Sequence, residues 1–144
     1  MADYGITPNQ LNLEITETAE IESHGMDNIN IIMQRLHRHG VTFSLDDFGS
    51  GFAALNYLIG LPVDIVKIDK GILWQAMKDS TSMTVLSYTI KMIKDVGRKI
   101  VVEGVQTEEM ASLLIEYGCD YLQGYLYSKP LPGEEYLKFI SEAS

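Results

Sequence analysis

The sequence predicts an α/β fold with a mostly parallel sheet, assembled from about five strand-then-helix units. Three observations carry this. Short runs of β-branched and aliphatic residues alternate with longer segments of helical apolar spacing, no hairpin signal falls between them, and every strand run ends in a polar residue. Such alternation favours parallel strands joined by right-handed crossovers. The 144 residues fit one domain with a real core. A complete eight-fold βα barrel needs about 250 residues, which is more than the chain has.

Taken in order, residues 1–10 read as a helix end followed by a turn at Gly5 and Pro8. Leu11 to Thr16 alternates apolar and polar and predicts the first strand, with Glu14 and Thr16 opposite Leu13 and Ile15; Glu17 follows in the loop. Asp27 to His39 carries Ile29, Ile32, Met33 and Leu36 at helical spacing and stops at Gly40. The second strand, Val41 to Leu45, delivers Asp46 and Asp47. Gly49, Ser50 and Gly51 then turn the chain, with Ser50 as N-cap of a short helix ending near Gly60. After Pro62, VDIVKID predicts a third strand with Ile65, Lys67 and Asp69 on one face. Gly71 to Lys78 reads as a short helical turn in which Trp74 packs, and Ser80, Thr81 or Ser82 caps a longer helix through Val96. Lys99 to Val102 is the fourth strand, ending in Glu103-Gly104. Thr107 caps the next helix, with Glu108 and Glu109 in its first turn where the dipole favours them. The fifth strand, Asp120 to Tyr125, carries Gln123, and a proline-rich turn leads into a last amphipathic helix.

A net charge of −9 opposes a surface that tracks polymeric nucleic acid, whose binders neutralise phosphates with Lys and Arg. A small phosphorylated ligand stays compatible where bound metal supplies positive charge. No apolar run reaches the roughly 18 to 20 residues of a membrane span, and no signal-peptide pattern opens the chain, so the cytoplasm is the expected compartment. The one cysteine, Cys119, forms no internal disulfide and reads as a buried thiol.

In a parallel βα array the strand C-termini share one rim, and Glu14, Asp46 with Asp47, Lys67, Glu103 and Gln123 all fall there. Period-two alternation puts them on a common side. Adjacent carboxylates repel, and hard oxygen ligands suit Mg²⁺, Mn²⁺ or Ca²⁺. Several carboxylates on one rim can hold one or two such ions for a phosphoryl displacement. Lys67 would orient or deprotonate water, or neutralise a phosphate oxygen, and Gln123 would donate hydrogen bonds. The competing account is a structural rim of capped and salt-bridged residues, with Lys67 as an edge-strand charge.

The ordered segments LEITET, SLDDFGSGF, VDIVKID, VVEGVQT and YLQGYLYSKPLP together resemble the C-terminal half of an EAL domain, the family of cyclic-di-GMP phosphodiesterases. The resemblance implies a modified, TIM-like (β/α) barrel that opens cyclic di-GMP to linear pGpG with Mg²⁺ or Mn²⁺ at a two-metal site. By motif, Glu14, Asp46, Asp47 and Glu103 resemble its metal ligands. Lys67 resembles the residue that holds or activates the hydrolytic water, and Gln123 a hydrogen-bonding partner near it. Glu17 resembles the glutamate steadying the loop after the Asp pair, and Asp69 belongs to the matched strand motif as a substrate-side residue. Gln106 stands where the family usually has a second glutamate. The Glu-Ala-Leu signature is absent, as is the later Asn-bearing strand, which together account for two further metal ligands.

The resemblance therefore implies one truncated EAL-type domain over residues 1–144, five βα units of a partial barrel whose N-terminal strands are missing. Such a chain would be inactive in isolation. It would self-associate or lean on other domains of its parent through open sheet edges and inward apolar side chains. A non-catalytic module that binds cyclic di-GMP or a protein partner is the alternative function. A closed flavodoxin-like domain is the alternative fold, less suited to carboxylates at every strand end.

Overall fold

Five parallel strands in the order β1-β2-β3-β4-β5 form one sheet in the computed structural model, which describes residues 5–16, 23–50 and 54–142. The strands are β1 Asn12–Thr16, β2 Thr42–Phe48, β3 Ile65–Ile68, β4 Lys99–Val102 and β5 Tyr121–Leu122. The helices between and after them are α1 Ser23–His37, α2 Ala54–Gly60, α3 Lys70–Ala76, α4 Ser80–Asp95, α5 Glu108–Glu116 and α6 Gly133–Glu142. Sequential strands are spatial neighbours throughout, and among the described residues the sheet does not close. This is the α/β architecture of a partial barrel.

Alternation along each strand sorts the side chains. Phe43, Leu45, Val66, Ile68, Ile100 and Val102 are buried beneath the helices, where they meet Leu73, Leu86, Ile90, Ile93 and Leu114. Each such side chain contributes roughly 2 kcal/mol when removed from water. The opposite face is polar, contrary to the expected apolar interior. By register it carries Asn12, Glu14, Thr42, Ser44, Lys67, Lys99 and Tyr121, with Ile65 and Val101 as its aliphatic members. These residues pair with one another. Asn12 donates to Thr42 Oγ1 at 3.0 Å, Ser44 Oγ donates to Asn12 Oδ1 at 2.7 Å, and Lys99 Nζ donates to Tyr121 Oη at 3.2 Å.

Two aspartates close the lower edge of the sheet. Asp64 Oδ2 accepts from the Phe43 backbone N–H at 2.8 Å just before β3, and Asp120 Oδ2 accepts from that of Ile100 at 2.8 Å just before β5.

Several boundaries differ from the sequence reading. Strand β2 runs on to Phe48, so both aspartates lie within it, and its register against β3 shifts between Leu45 and Phe48. Strand β5 is two residues long and not six, because Gly124 lies against the Val105 backbone and the chain turns there. Helix α4 is capped by Asp79, whose Oδ1 accepts from Ser82 N at 2.8 Å, so the carboxylate holds the position expected for a hydroxyl. Thr107 caps α5 as expected, with Oγ1 accepting from Met110 N at 3.2 Å. Residues 51–53, between the Ser50 expected to cap α2 and the helix itself, lie outside the described residues.

Candidate metal centre

Lys67 lies on β3, the middle strand of five, which removes the edge-charge account of it. Its neighbours on the polar face come from three other strand ends. Lys67 Nζ stands 3.0 Å from Glu14 Oε1, 2.7 Å from Asp46 Oδ1 and 2.9 Å from Glu103 Oε1. The Lys67 side chain is 11% exposed, Asp46 18% and Glu103 19%, whereas Glu14 is 49% exposed. Burial opposes the charged ammonium, but the contacts to Asp46, Glu103 and Glu14 outweigh it and hold Lys67 well above its ordinary value. These contacts favour the ammonium form of Lys67, which is fit to orient and to neutralise.

Asp47 reaches the same place by backbone distortion. It has φ 54, the sole positive φ at a non-glycine position among the described residues, and it sits within the register shift of β2. Flat strand geometry would send Asp46 and Asp47 to opposite faces. The distortion brings one carboxylate oxygen each from Asp46, Asp47 and Glu103 within 4.8 Å of one another.

Two features fit a divalent cation here. Asp46 Oδ1 is buried and, despite its ion-pair distance to Lys67, has no hydrogen-bond partner of acceptable angle among the described residues. Glu14, Asp46 and Glu103 also share one ammonium, and Asp47 gathers with two of them, so negative charge is in excess. All donors are hard oxygens, the set that Mg²⁺, Mn²⁺ and Ca²⁺ prefer.

The remaining expected residues take different positions. Gln123 is exposed at the end of β5 and lines a cavity of about 180 Å³ together with Glu103, Gln106, Lys70, Trp74 and Tyr125. Asp69 caps α3, its Oδ1 accepting from Gly71 N at 2.7 Å, and lines a different cavity of about 310 Å³ with Gly49 and Ile72. Glu17 lies outside the described residues. Glu14 joins the group through Lys67 and is not one of the three closely gathered carboxylates.

Sequence reasoning assigned Trp74 to packing. The residue is 36% exposed where it lines the cavity, and beyond packing its indole N–H donates to the Gly104 carbonyl at 2.8 Å. A bulky aromatic four residues after Lys70 on a short rim helix was the available signal. Lys70 Nζ stands 5.7 Å from the ring centroid.

Comparison with known proteins gives one consistent outcome. The family model described as EAL domain matches residues 1–130. The cyclic di-GMP phosphodiesterase PdeL of Escherichia coli K12 is 44% identical over 133 residues, covering 92% of this chain and 35% of that protein. The EAL domain of Mycobacterium smegmatis DcpA superposes with a TM-score of 0.90 at 32% identity, over 99% of this chain and 63% of that one. Klebsiella pneumoniae BlrP1, solved with manganese and cyclic di-GMP, gives a TM-score of 0.78 at 29% identity, over 90% of this chain and 32% of that one. The chain spans about a third or less of the length of the curated relatives it matches.

Proposed function

The chain belongs to the EAL domain family, and from that membership we propose that its rim is the greater part of a cyclic-di-GMP phosphodiesterase site. One observation carries the reading: three carboxylate oxygens within 4.8 Å beside the partly buried Lys67 ammonium, with Asp46 Oδ1 left without a hydrogen bond. The names of relatives as cyclic-di-GMP phosphodiesterases, and the manganese and calcium complexes of BlrP1 with that nucleotide, support it.

In this reading Asp46, Asp47 and Glu103 hold Mg²⁺ or Mn²⁺, with Glu14 as a fourth ligand. The ion, when bound, supplies Lewis-acid charge to the phosphoryl group. Water attacks phosphorus, the bond to the 3′ oxygen breaks, and the linear dinucleotide pGpG leaves with a 5′ phosphate. Lys67 keeps Glu14, Asp46 and Glu103 in register and offers its ammonium to the attacking water or a phosphate oxygen. Gln123, next to Glu103 in the smaller cavity, donates a hydrogen bond to water or nucleotide. Asp69 orders the start of α3 on the substrate side, and Glu17 steadies the loop after the Asp pair.

Residues 1–144 are read as five βα units of one EAL domain, with little or no turnover on their own and a tendency to self-associate. The cytoplasm is the proposed compartment; among the described residues no helix is long and apolar enough to cross a membrane. A second reading, a binding module that does not hydrolyse, gains from the same Lys67 contacts, because an ammonium already stands within ion-pair distance of three of the carboxylates.

The test is calorimetric titration of the purified chain with cyclic di-GMP, with and without Mn²⁺, followed by chromatography for pGpG. Expected is Mn²⁺-dependent binding, abolished in Asp46→Asn, with no pGpG. No binding under either condition would overturn the assignment, and steady formation of pGpG would overturn the claim of inactivity.

A further inference from the structure

Glu103 is fixed by backbone bonds on both sides. Its own N–H donates to Ile68 O at 3.1 Å, and two residues on, Val105 N donates to Gln123 O at 3.1 Å while Val105 O accepts from Leu126 N at 3.0 Å. Between these anchors Gly104 turns the chain with φ +74. Its carbonyl faces α3, where Trp74 Nε1–H meets it at 2.8 Å.

The contact is tight. A Cβ on Gly104 would stand 2.4 Å from Lys70 Cβ and 3.0 Å from Trp74 Nε1, so the first turn of α3 rests directly on the glycine. Helix α3 is itself held by the Asp69 cap, two residues beyond Lys67. One continuous segment, β3 to α3, therefore supplies both the ammonium that pairs with Glu103 and the donor that fixes the turn behind it.

We infer that Trp74 is a positioning residue for Glu103: its indole N–H locks the Glu103-Gly104 turn so that the carboxylate stays with Lys67, Asp46 and Asp47. The inference rests on the proposed role of Glu103 in holding a metal, and it concerns how that carboxylate is aimed. An unlocked turn would let the Glu103 side chain leave the group while the sheet and its core stayed intact, because Trp74 is partly exposed and outside the buried core.

The test compares the whole chain carrying tryptophan with Trp74→Phe and with benzothienylalanine at position 74, which keeps the bicyclic shape and removes the N–H. The ¹³Cδ resonance of Glu103, identified by its loss in Glu103→Gln, reports the carboxylate without metal or nucleotide. It is expected to move towards the free-carboxylate position in both variants, with unchanged thermal midpoint for benzothienylalanine. Mn²⁺ affinity by calorimetry is expected to fall about tenfold in both, which is 1.4 kcal/mol. An unmoved Glu103 resonance, or equal Mn²⁺ affinity without the donor, overturns the inference. A parent chain that takes up no Mn²⁺ counts against the metal reading and leaves the resonance to decide the positioning alone.

Discussion

Lys67 neutralises carboxylates from three strand ends, so its removal is a test of how much negative charge the rim can hold. In Lys67→Met, Glu14, Asp46 and Glu103 face one another without their shared cation. Breaking a buried ion pair from one side costs about 3 to 5 kcal/mol, and the half-exposure of Glu14 puts this site at the lower end. A loss of about 3 kcal/mol lowers the midpoint by roughly 10 °C in a chain of this size. Calorimetry in EDTA should show that drop, and Mn²⁺ should restore more of it in the variant than it adds to the parent. Asp47 makes the opposite bargain. Its left-handed backbone costs about 1 kcal/mol that glycine does not incur. Asp47→Gly is therefore expected to raise the midpoint by roughly 3 °C while weakening Mn²⁺ binding; a lower midpoint would show that φ 54 is not strained here.

Elements were legible in the sequence where one local signal decided them, and less so where two competed. The apolar spacing of 80–95, the Thr107 cap and the runs IVKI and KIVV each state one structure, and each forms. Strand β2 was read three residues too short at its end because an Asp-Asp pair normally ends a strand, yet a register shift lets both remain in it. Strand β5 was read too long because β-propensity ignores the approach of Gly124 to Val105. The candidate carboxylates were visible as strand-end residues, but the Trp74–Gly104 bond was not, since it joins residues thirty apart through a side-chain donor. Two element-scale predictions follow from these contacts. In Gly124→Ala the new Cβ would meet Val105 O at 2.0 Å, so the β4–α5 and β5–α6 turns must separate, at a cost of roughly 1 to 3 kcal/mol in a denaturant titration. Cys119, beside β5, has its thiol pushed up to about 11 by burial, with Asp120 adding to the effect and Lys94 opposing it. Its neutral form contributes stability that is whole below the ordinary value of 9.0 and lost as pH rises through about 11. At pH 8 its alkylation by iodoacetamide should be about a hundredfold slower folded than in urea.

At the scale of the whole molecule the sheet has one dry face and one wet one, and this decides where association can occur. The face bearing Lys99, Tyr121, Asn12 and Glu14 is polar and internally hydrogen-bonded, so water can cover it without the cost expected for an apolar barrel interior. Among the described residues the outer strands of the sheet are β1, with Leu13 44% exposed, and β5, and on α6 the side chains of Tyr136, Leu137 and Phe139 are exposed by 40 to 64%. Open strand edges present unpaired backbone groups and invite pairing, while a lysine on the edge blunts it. Self-association of this chain is therefore expected to run through β1 and α6 and not through the polar face. Sedimentation velocity should show a mass that rises with concentration, reduced towards the monomer by Leu13→Lys or Leu137→Asp and unaffected by Lys99→Gln on the wet face. A monomer at every concentration would remove the edge argument. Dissociation by Lys99→Gln alone would mean that the polar face, with the carboxylate rim on it, is itself the contact.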